Sequence, residues 1–235
     1  MYIFGKNIVK EALKSEERIT KAYINKKSKD QELINDLKER HIKINFVDEV
    51  ILNKLVNGKH QGFILEVDEV KTYGIEEVLN GEKENSIIVL LDHIEDPHNF
   101  GAIIRTCEAL GVKGIIIPND RSVGITGTVV KTSVGAINNI KIIRTPNLGT
   151  AILKLKQNGY WIIGTDMEGE DYTKLDYNMP ICLVIGNEGH GISKTIKKSC
   201  DFIASIPMIG KINSLNASVS CAMFLGEIIN KRKLK

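Results

Sequence analysis

The 235-residue chain is 43% hydrophobic and 26% charged, with a formal net charge of +3. That is enough apolar material for two small cores and too little charge to demand a polyanionic partner on composition alone. No apolar run reaches the roughly 18 residues of a membrane span and the amino terminus becomes charged too early for a secretory leader, so a cytoplasmic chain with no membrane partner is expected.

In chain order, "NIVKEALKS" (7–15) offers a capping Asn and apolar residues at helical spacing. "ITKAYIN" alternates like a strand, "DQELINDLKER" is helical, "IKINFV" strand-like, "DEVILNKLVN" helical and "GFILEV" a strand, so residues 1–70 form an α/β unit. "KTYGIEEVLNGEKENS" has two glycines, several charges and little apolar content, which places a connection at 71–85.

Residues 86–235 open on "SIIVLLD", a continuous apolar run of the kind buried on both faces of a mainly parallel sheet. "GIIIP", "YWIIGTD", "ICLVIGNE" and "FIASIPM" repeat it. Between them, "GAIIRTCEALG", "NLGTAILKLKQNG" and "GISKTIKKSC" read as helices, which makes this a second α/β domain. Ligands of such sheets sit beyond the carboxyl ends of the strands. The candidate loops are therefore "DHIEDPHNFGA", "GTDMEGED", "GNEGHGIS" and "IPMIGKINSLNAS". The tail "KRKLK" carries four positive charges and is either a solvated, frayed end or a phosphate contact.

The familiar nucleotide signatures are missing: no G-x-G-x-x-G follows "IIVLLD" and no G-x-x-x-x-G-K-[ST] occurs anywhere. His93, Glu95 and His98 cluster, but Pro97 keeps them off a shared helical face, and no metal site is expected. Cys107, Cys182, Cys200 and Cys221 contain no Cys-x-x-Cys pair and read as reduced small hydrophobes. Arg105, in an otherwise apolar helix, needs a partner. Glu188, at the end of a buried strand, is costly unless paired, so the two suit each other, as a structural ion pair or as part of a site.

"DPHNFGAIIRTCEALGV", "LVIGNEGHGIS" and "IPMIGKINSLNASVSCAMFLGEI" resemble the three motifs of the SPOUT-superfamily (SpoU/TrmH-type) RNA 2'-O-ribose methyltransferases, in that family's order. "FGKNIVKEAL" and "HQGFILEV" resemble the L30e-like substrate-binding domain of the bacterial 23S rRNA guanosine-2'-O-methyltransferases. The resemblance implies an L30e-like domain at 1–70, a linker at 71–85 and a SPOUT catalytic domain at 86–235. Its carboxyl-terminal trefoil knot would hold S-adenosylmethionine, and two such domains would pair in a homodimer.

By motif position the implied catalytic set is Asn99, Arg105, Glu188, Ser214 and Asn216, and the implied cofactor site is Gly164, Thr165, Gly186, Ile206, Met208 and Leu215. A guanidinium, with a pKa above about 12, suits Arg105 to stabilise a developing alkoxide or a neighbouring phosphate, and leaves the destination of the proton open. Methylation of a guanosine of 23S rRNA is the expectation. The alternatives are tRNA or another rRNA site as substrate, or an RNA-binding assembly factor without catalysis.

Overall fold

The computed structural model describes residues 2–14, 19–67, 70–81, 84–187, 189–211 and 214–233. Two units are separable by their internal packing, Met1–Val70 and Lys71–Lys235.

The first unit contains β1 (Tyr2–Phe4), α1 (Lys6–Lys14), β2 (Ile19–Asn25), α2 (Gln31–Glu39), β3 (Lys43–Val47), α3 (Glu49–Leu55) and β4 (Phe63–Val67). Its sheet has the order β1-β4-β2-β3. β2 and β3 run parallel through the α2 crossover, and β4 is antiparallel to both β1 and β2. Val9, Leu33 and Leu37 close one face over Ala22, Ile24, Phe63 and Leu65. Each fully buried leucine contributes about 2 kcal/mol. Asp30 starts α2 where the sequence places it, its Oδ1 accepting from the Leu33 amide at 3.3 Å.

The second unit contains β5 (Thr72–Tyr73), α4 (Glu76–Leu79), β6 (Ile87–Asp92), α5 (Pro97–Ala109), β7 (Gly114–Pro118), α6 (Gly127–Thr132) and β8 (Lys141–Thr145). It continues with α7 (Leu148–Gln157), β9 (Trp161–Asp171), β10 (Ile181–Gly186), α8 (Lys194–Lys197), β11 (Phe202–Ser205) and α9 (Ala217–Lys233). The seven strands are ordered β11-β9-β10-β6-β7-β8-β5, and every neighbouring pair is parallel. All six residues of β6 are buried, which is why its sequence is apolar without alternation.

Residues 71–81 differ from the expected connection. Thr72 and Tyr73 add an edge strand to β8, while Ile75, Val78 and Leu79 enter the core beside Ile116 and Ile143. Val78 Cγ1 lies 2.6 Å from where a Cβ would stand on Gly114, so the segment is keyed into the sheet. Three apolar residues inside one short turn leave too little periodicity to read from sequence.

The tail also departs from expectation. Lys231 Nζ donates to the carbonyls of Thr173 and Leu175, the latter at 2.9 Å. Arg232 donates to the carbonyls of Tyr177 (2.8 Å), Met179 (2.8 Å) and Asn85. These two side chains are neither frayed nor free for phosphate: they fasten the end of α9 to the segments before β10 and β6. Leu234 and Lys235 lie outside the described residues.

Candidate functional site

Gly186 ends β10 opposite Asp92, the last residue of β6. From this pair the strand order runs to β7 and β8 on one side and to β9 and β11 on the other, the reversal at which open α/β sheets bind ligands. A cavity of about 340 Å³ opens there, at the lower end of the range for small-molecule sites. Thr165, Asp166 and Met167 form one wall, Ile185–Asn187 and 189–191 a second, and residues 204–206, Met208, Ser214, Leu215 and the start of α9 a third.

Each wall has a local cause. β9 changes register against β11, with Ile203 opposite Gly164 but Ala204 opposite Glu170, so 165–169 swing away from the ladder. The Thr165 hydroxyl recovers one ladder bond by donating to the Val184 carbonyl at 3.0 Å. After β10, Asn187 and Gly191 exchange backbone hydrogen bonds of 3.1 and 2.8 Å around a hairpin in which Gly191 has φ +64°. A Cβ on Gly186 would stand 2.2 Å from the Gly191 carbonyl carbon, so only glycine fits.

α9 begins with Asn216 as its cap: Oδ1 accepts from the Ser218 amide at 2.9 Å and the Ser218 hydroxyl at 2.6 Å. The Asn216 Nδ2 donates to Asn99 Oδ1 at 2.8 Å, and Asn99 is buried in the first turn of α5. Ala217, Ser220 and Phe224 follow at i, i+3 and i+7 and turn one stripe of the helix toward the cavity.

The base of the site is fixed by Asp92, 1% exposed. Its Oδ2 accepts from the Ser193 amide at 2.6 Å and its Oδ1 lies 2.5 Å from His93 Nδ1. His93 takes φ +61°, and its carbonyl accepts from Asn187 Nδ2 at 2.9 Å, which binds the loop after β6 to the loop after β10. Asp166 is the carboxylate on the cavity wall. Burial opposes its ionisation, but the Glu168 amide and the Lys197 ammonium, 3.0 Å away, hold it below the usual aspartate range. Among the described residues the lining therefore combines the ionised Asp166, backbone groups and an apolar patch of Ile206, Leu215 and Phe224.

The profile of the SpoU rRNA methylase family matches residues 86–226, and that of the RNA 2'-O ribose methyltransferase substrate-binding region matches residues 2–73. The chain belongs to the SpoU rRNA methylase family. The TrmH-family protein YacO of Bacillus subtilis is 39% identical over 238 residues, covering 98% of this chain and 96% of that protein. A TrmH-family protein of Staphylococcus saprophyticus is 40% identical over 237 residues, covering 98% and 95%. Among solved structures, the SpoU methyltransferase AviRb of Streptomyces viridochromogenes in complex with AdoMet superposes with a TM-score of 0.68 at 24% identity, over 99% of this chain and 90% of AviRb. The TrmH/SpoU tRNA modifying enzyme of A. aeolicus gives 0.59 at 32% identity, over 68% of this chain and 81% of that one.

Of the residues selected by motif position, Thr165, Gly186, Ile206, Met208, Ser214 and Leu215 all line the cavity. Gly164 does not. It lies on β9 beneath the cavity, where Cys200 Sγ, Ile192 and Ile203 crowd the place of a Cβ at 2.7 to 3.0 Å. Asn99 and Asn216 meet at the edge of the third wall. Arg105 is exposed on α5 and does not line the cavity. It stands six positions after Asn99, which at 100° per residue leaves the two about 120° apart around the axis, so the side chains leave α5 on different faces. Glu188 lies outside the described residues.

Sequence reasoning missed Asp166, His190, Ser205, Ser220 and Phe224 as lining residues. Asp166 and His190 stand in loops already singled out. The spacing of Ala217, Ser220 and Phe224 was the available signal for the third wall.

Proposed function

We propose that the chain is an S-adenosylmethionine-dependent RNA 2'-O-ribose methyltransferase acting on a guanosine of 23S rRNA. The observation that carries this is the cavity at the strand-order reversal, one wall of which is bonded through Asn216 and Asn99 to the helix that bears Arg105. The lining suits the cofactor's chemistry: ionised Asp166 complements its positive ammonium and sulfonium groups, and Ile206, Leu215 and Phe224 offer an apolar slot for adenine. Residues 165–167, Gly189 and His190 add backbone donors and acceptors.

When bound, the cofactor supplies an already activated methyl group, and the protein's task is alignment and exclusion of water. Asn187 and residues 189–191 on one side, and residues 204–206 with Met208 on the other, enclose the donor side. Asn99, oriented by Asn216, positions the ribose edge, and Ser214 presents a hydroxyl beside it. Arg105, which leaves α5 on a different face from Asn99, holds a substrate phosphate by charge-assisted hydrogen bonds.

The same reading includes an L30e-like first domain for RNA, a trefoil knot formed by the segment that leads into α9, and a cytoplasmic homodimer. Val219 and Met223, one helical turn apart on α9, are 45% and 37% exposed and give the second copy an apolar contact.

Incubation with methyl-labelled cofactor and either 23S rRNA or bulk tRNA, followed by mapping of the labelled ribose, tests the proposal. Label in 23S rRNA supports it; label only in tRNA moves the substrate; no label in any RNA overturns it. Arg105→Ala is expected to abolish transfer while calorimetric cofactor affinity stays at the wild-type value.

A further inference from the structure

Three segments of the first unit converge at one edge of its sheet. The Asn25 amide donates to the Gly62 carbonyl at 2.9 Å and the Lys26 amide to the Val47 carbonyl at 3.0 Å, so the 26–30 loop, α3 and the 56–62 loop lie side by side. Buried His60 fixes them: its Nδ1 accepts from the Gly62 amide at 3.0 Å and its Nε2 lies 3.0 Å from Asn53 Oδ1 on α3. Gly58 packs so closely that the Phe4 ring stands 2.7 Å from where its Cβ would be. These loops are built, with backbone groups and a buried imidazole spent on holding them together.

The acids at this edge are already engaged. Asp48 pairs with Lys26 at 3.0 Å and Asp30 with Lys6 at 2.9 Å, while Glu49 accepts from Asn25 Nδ2 and faces His60 at 3.5 Å. Lys27, Lys29, Lys54 and Lys59 are exposed, and none pairs with a carboxylate among the described residues. Phe46, the last but one residue of β3, stands at the same edge and is 48% exposed. Exposed lysines on a fixed frame beside an exposed aromatic ring match a phosphodiester backbone with an accessible base face.

We infer that this edge is where the first unit grips RNA, through backbone phosphates at Lys27, Lys29, Lys54 and Lys59, and that it supplies affinity without reading sequence. The inference rests on the RNA substrate proposed above and names the surface that holds it. Contacts that read base edges are left to the cavity side, since phosphate contacts and stacking position a strand without specifying it.

The test is fluorescence anisotropy of the full-length protein with a fluorescein-labelled RNA stem-loop of arbitrary sequence at several KCl concentrations. Four phosphate contacts make affinity fall about 50-fold between 50 and 200 mM salt. Replacing all four lysines with alanine is expected to lower the slope of log K against log salt by about 3. Calorimetric cofactor affinity should not change. Lys113→Ala/Lys174→Ala, which removes charge from the second unit, should leave the slope alone. An unchanged slope in the quadruple variant, or an equal fall in the control, overturns the inference while methyl transfer by the wild type still stands. A wild-type protein that binds cofactor but no RNA overturns the functional reading and this surface together.

Discussion

The Asn216 amide reaches the Asn99 carbonyl oxygen across 2.8 Å and joins residues 117 apart in the chain. The opposite end of the same side chain caps α9, so one asparagine ties the helix start to the loop and helix that begin at Asp96. Asn216→Ala removes both functions, at about 1–3 kcal/mol for a lost cap and a lost side-chain hydrogen bond. Asn216→Asp keeps the cap but replaces the donor to Asn99 with a carboxylate oxygen. A thermal melt should rank wild type above Asn216→Asp and that variant above Asn216→Ala, whereas methyl transfer should fall in both variants. Equal activity for the Asn216→Asp variant and the wild type would show that the link to Asn99 has no catalytic role.

Gly186→Ala should damage the cavity directly. The added methyl meets backbone of Gly191 and Ile192 at 2.2 and 2.3 Å, and backbone cannot rotate aside as a side chain can. Displacing the 187–191 hairpin should weaken cofactor binding by more than about tenfold, the equivalent of 1.4 kcal/mol. Gly210→Ala, where nothing lies within 4 Å, should leave that affinity within about twofold. Calorimetry on both variants makes the comparison.

Arg232→Ala strips donors from three backbone carbonyls contributed by two separate stretches of chain. Half-buried and charged, these bonds are worth about 2–4 kcal/mol together once the relieved burial of the guanidinium is counted. Denaturant titration should show a lower midpoint with an unchanged slope. Arg232→Lys should recover only part, because an ammonium lacks the planar fork that reaches all three carbonyls. Full recovery by lysine would mean that charge, and not the fork, fastens α9.

Acid should weaken the first unit through Asp30. The Lys6 hydrogen bond outweighs burial and holds the Asp30 carboxyl below its ordinary value. Because the folded pKa is the lower one, the unfolded chain takes up the proton first. The stabilisation is complete above about pH 4 and disappears as pH falls through the folded value. In full-length protein followed by melts between pH 7 and 3, wild type and Asp30→Asn should converge at the acid end and diverge above about pH 4–5. A constant gap down to pH 3 would contradict the pairing.

The seven-stranded sheet was legible where both faces of a strand are covered. β6, β7 and β10 are apolar apart from Asp92 because both of their faces are buried, and candidate loops follow β6 and β10. β8 was not legible: within "KIIRT" only Ile142 and Ile143 are buried, and two residues carry no period. α6 and the 3-10 turn Ala136–Asn138 escaped for the same reason, being held by α5 more than by their own pattern. Close backbone approach makes Gly101 a contact for Thr132, at 2.5 Å from its missing Cβ, and a single glycine in a helix gives no hint of that.

Within the site, motif positions identified the residues whose role is fixed by backbone geometry, such as Gly186 and Leu215. They did not separate wall from support. Gly164 and Thr165 are neighbours on β9, yet strand alternation turns one toward Cys200 and the other toward the cavity. The face that Arg105 occupies likewise follows from 100° of rotation per residue along α5, which becomes informative only once the helix has been placed.

The third cavity wall comes from residues that leave the ribosome after every other part of the site. A nascent chain can assemble β6, β9 and β10 while Ser220 and Phe224 are still unmade, and until α9 docks there is no enclosed space to fill. Methyl-donor capture thus waits on translation of α9, and stalling synthesis before residue 217 should leave a folded but ligand-blind sheet.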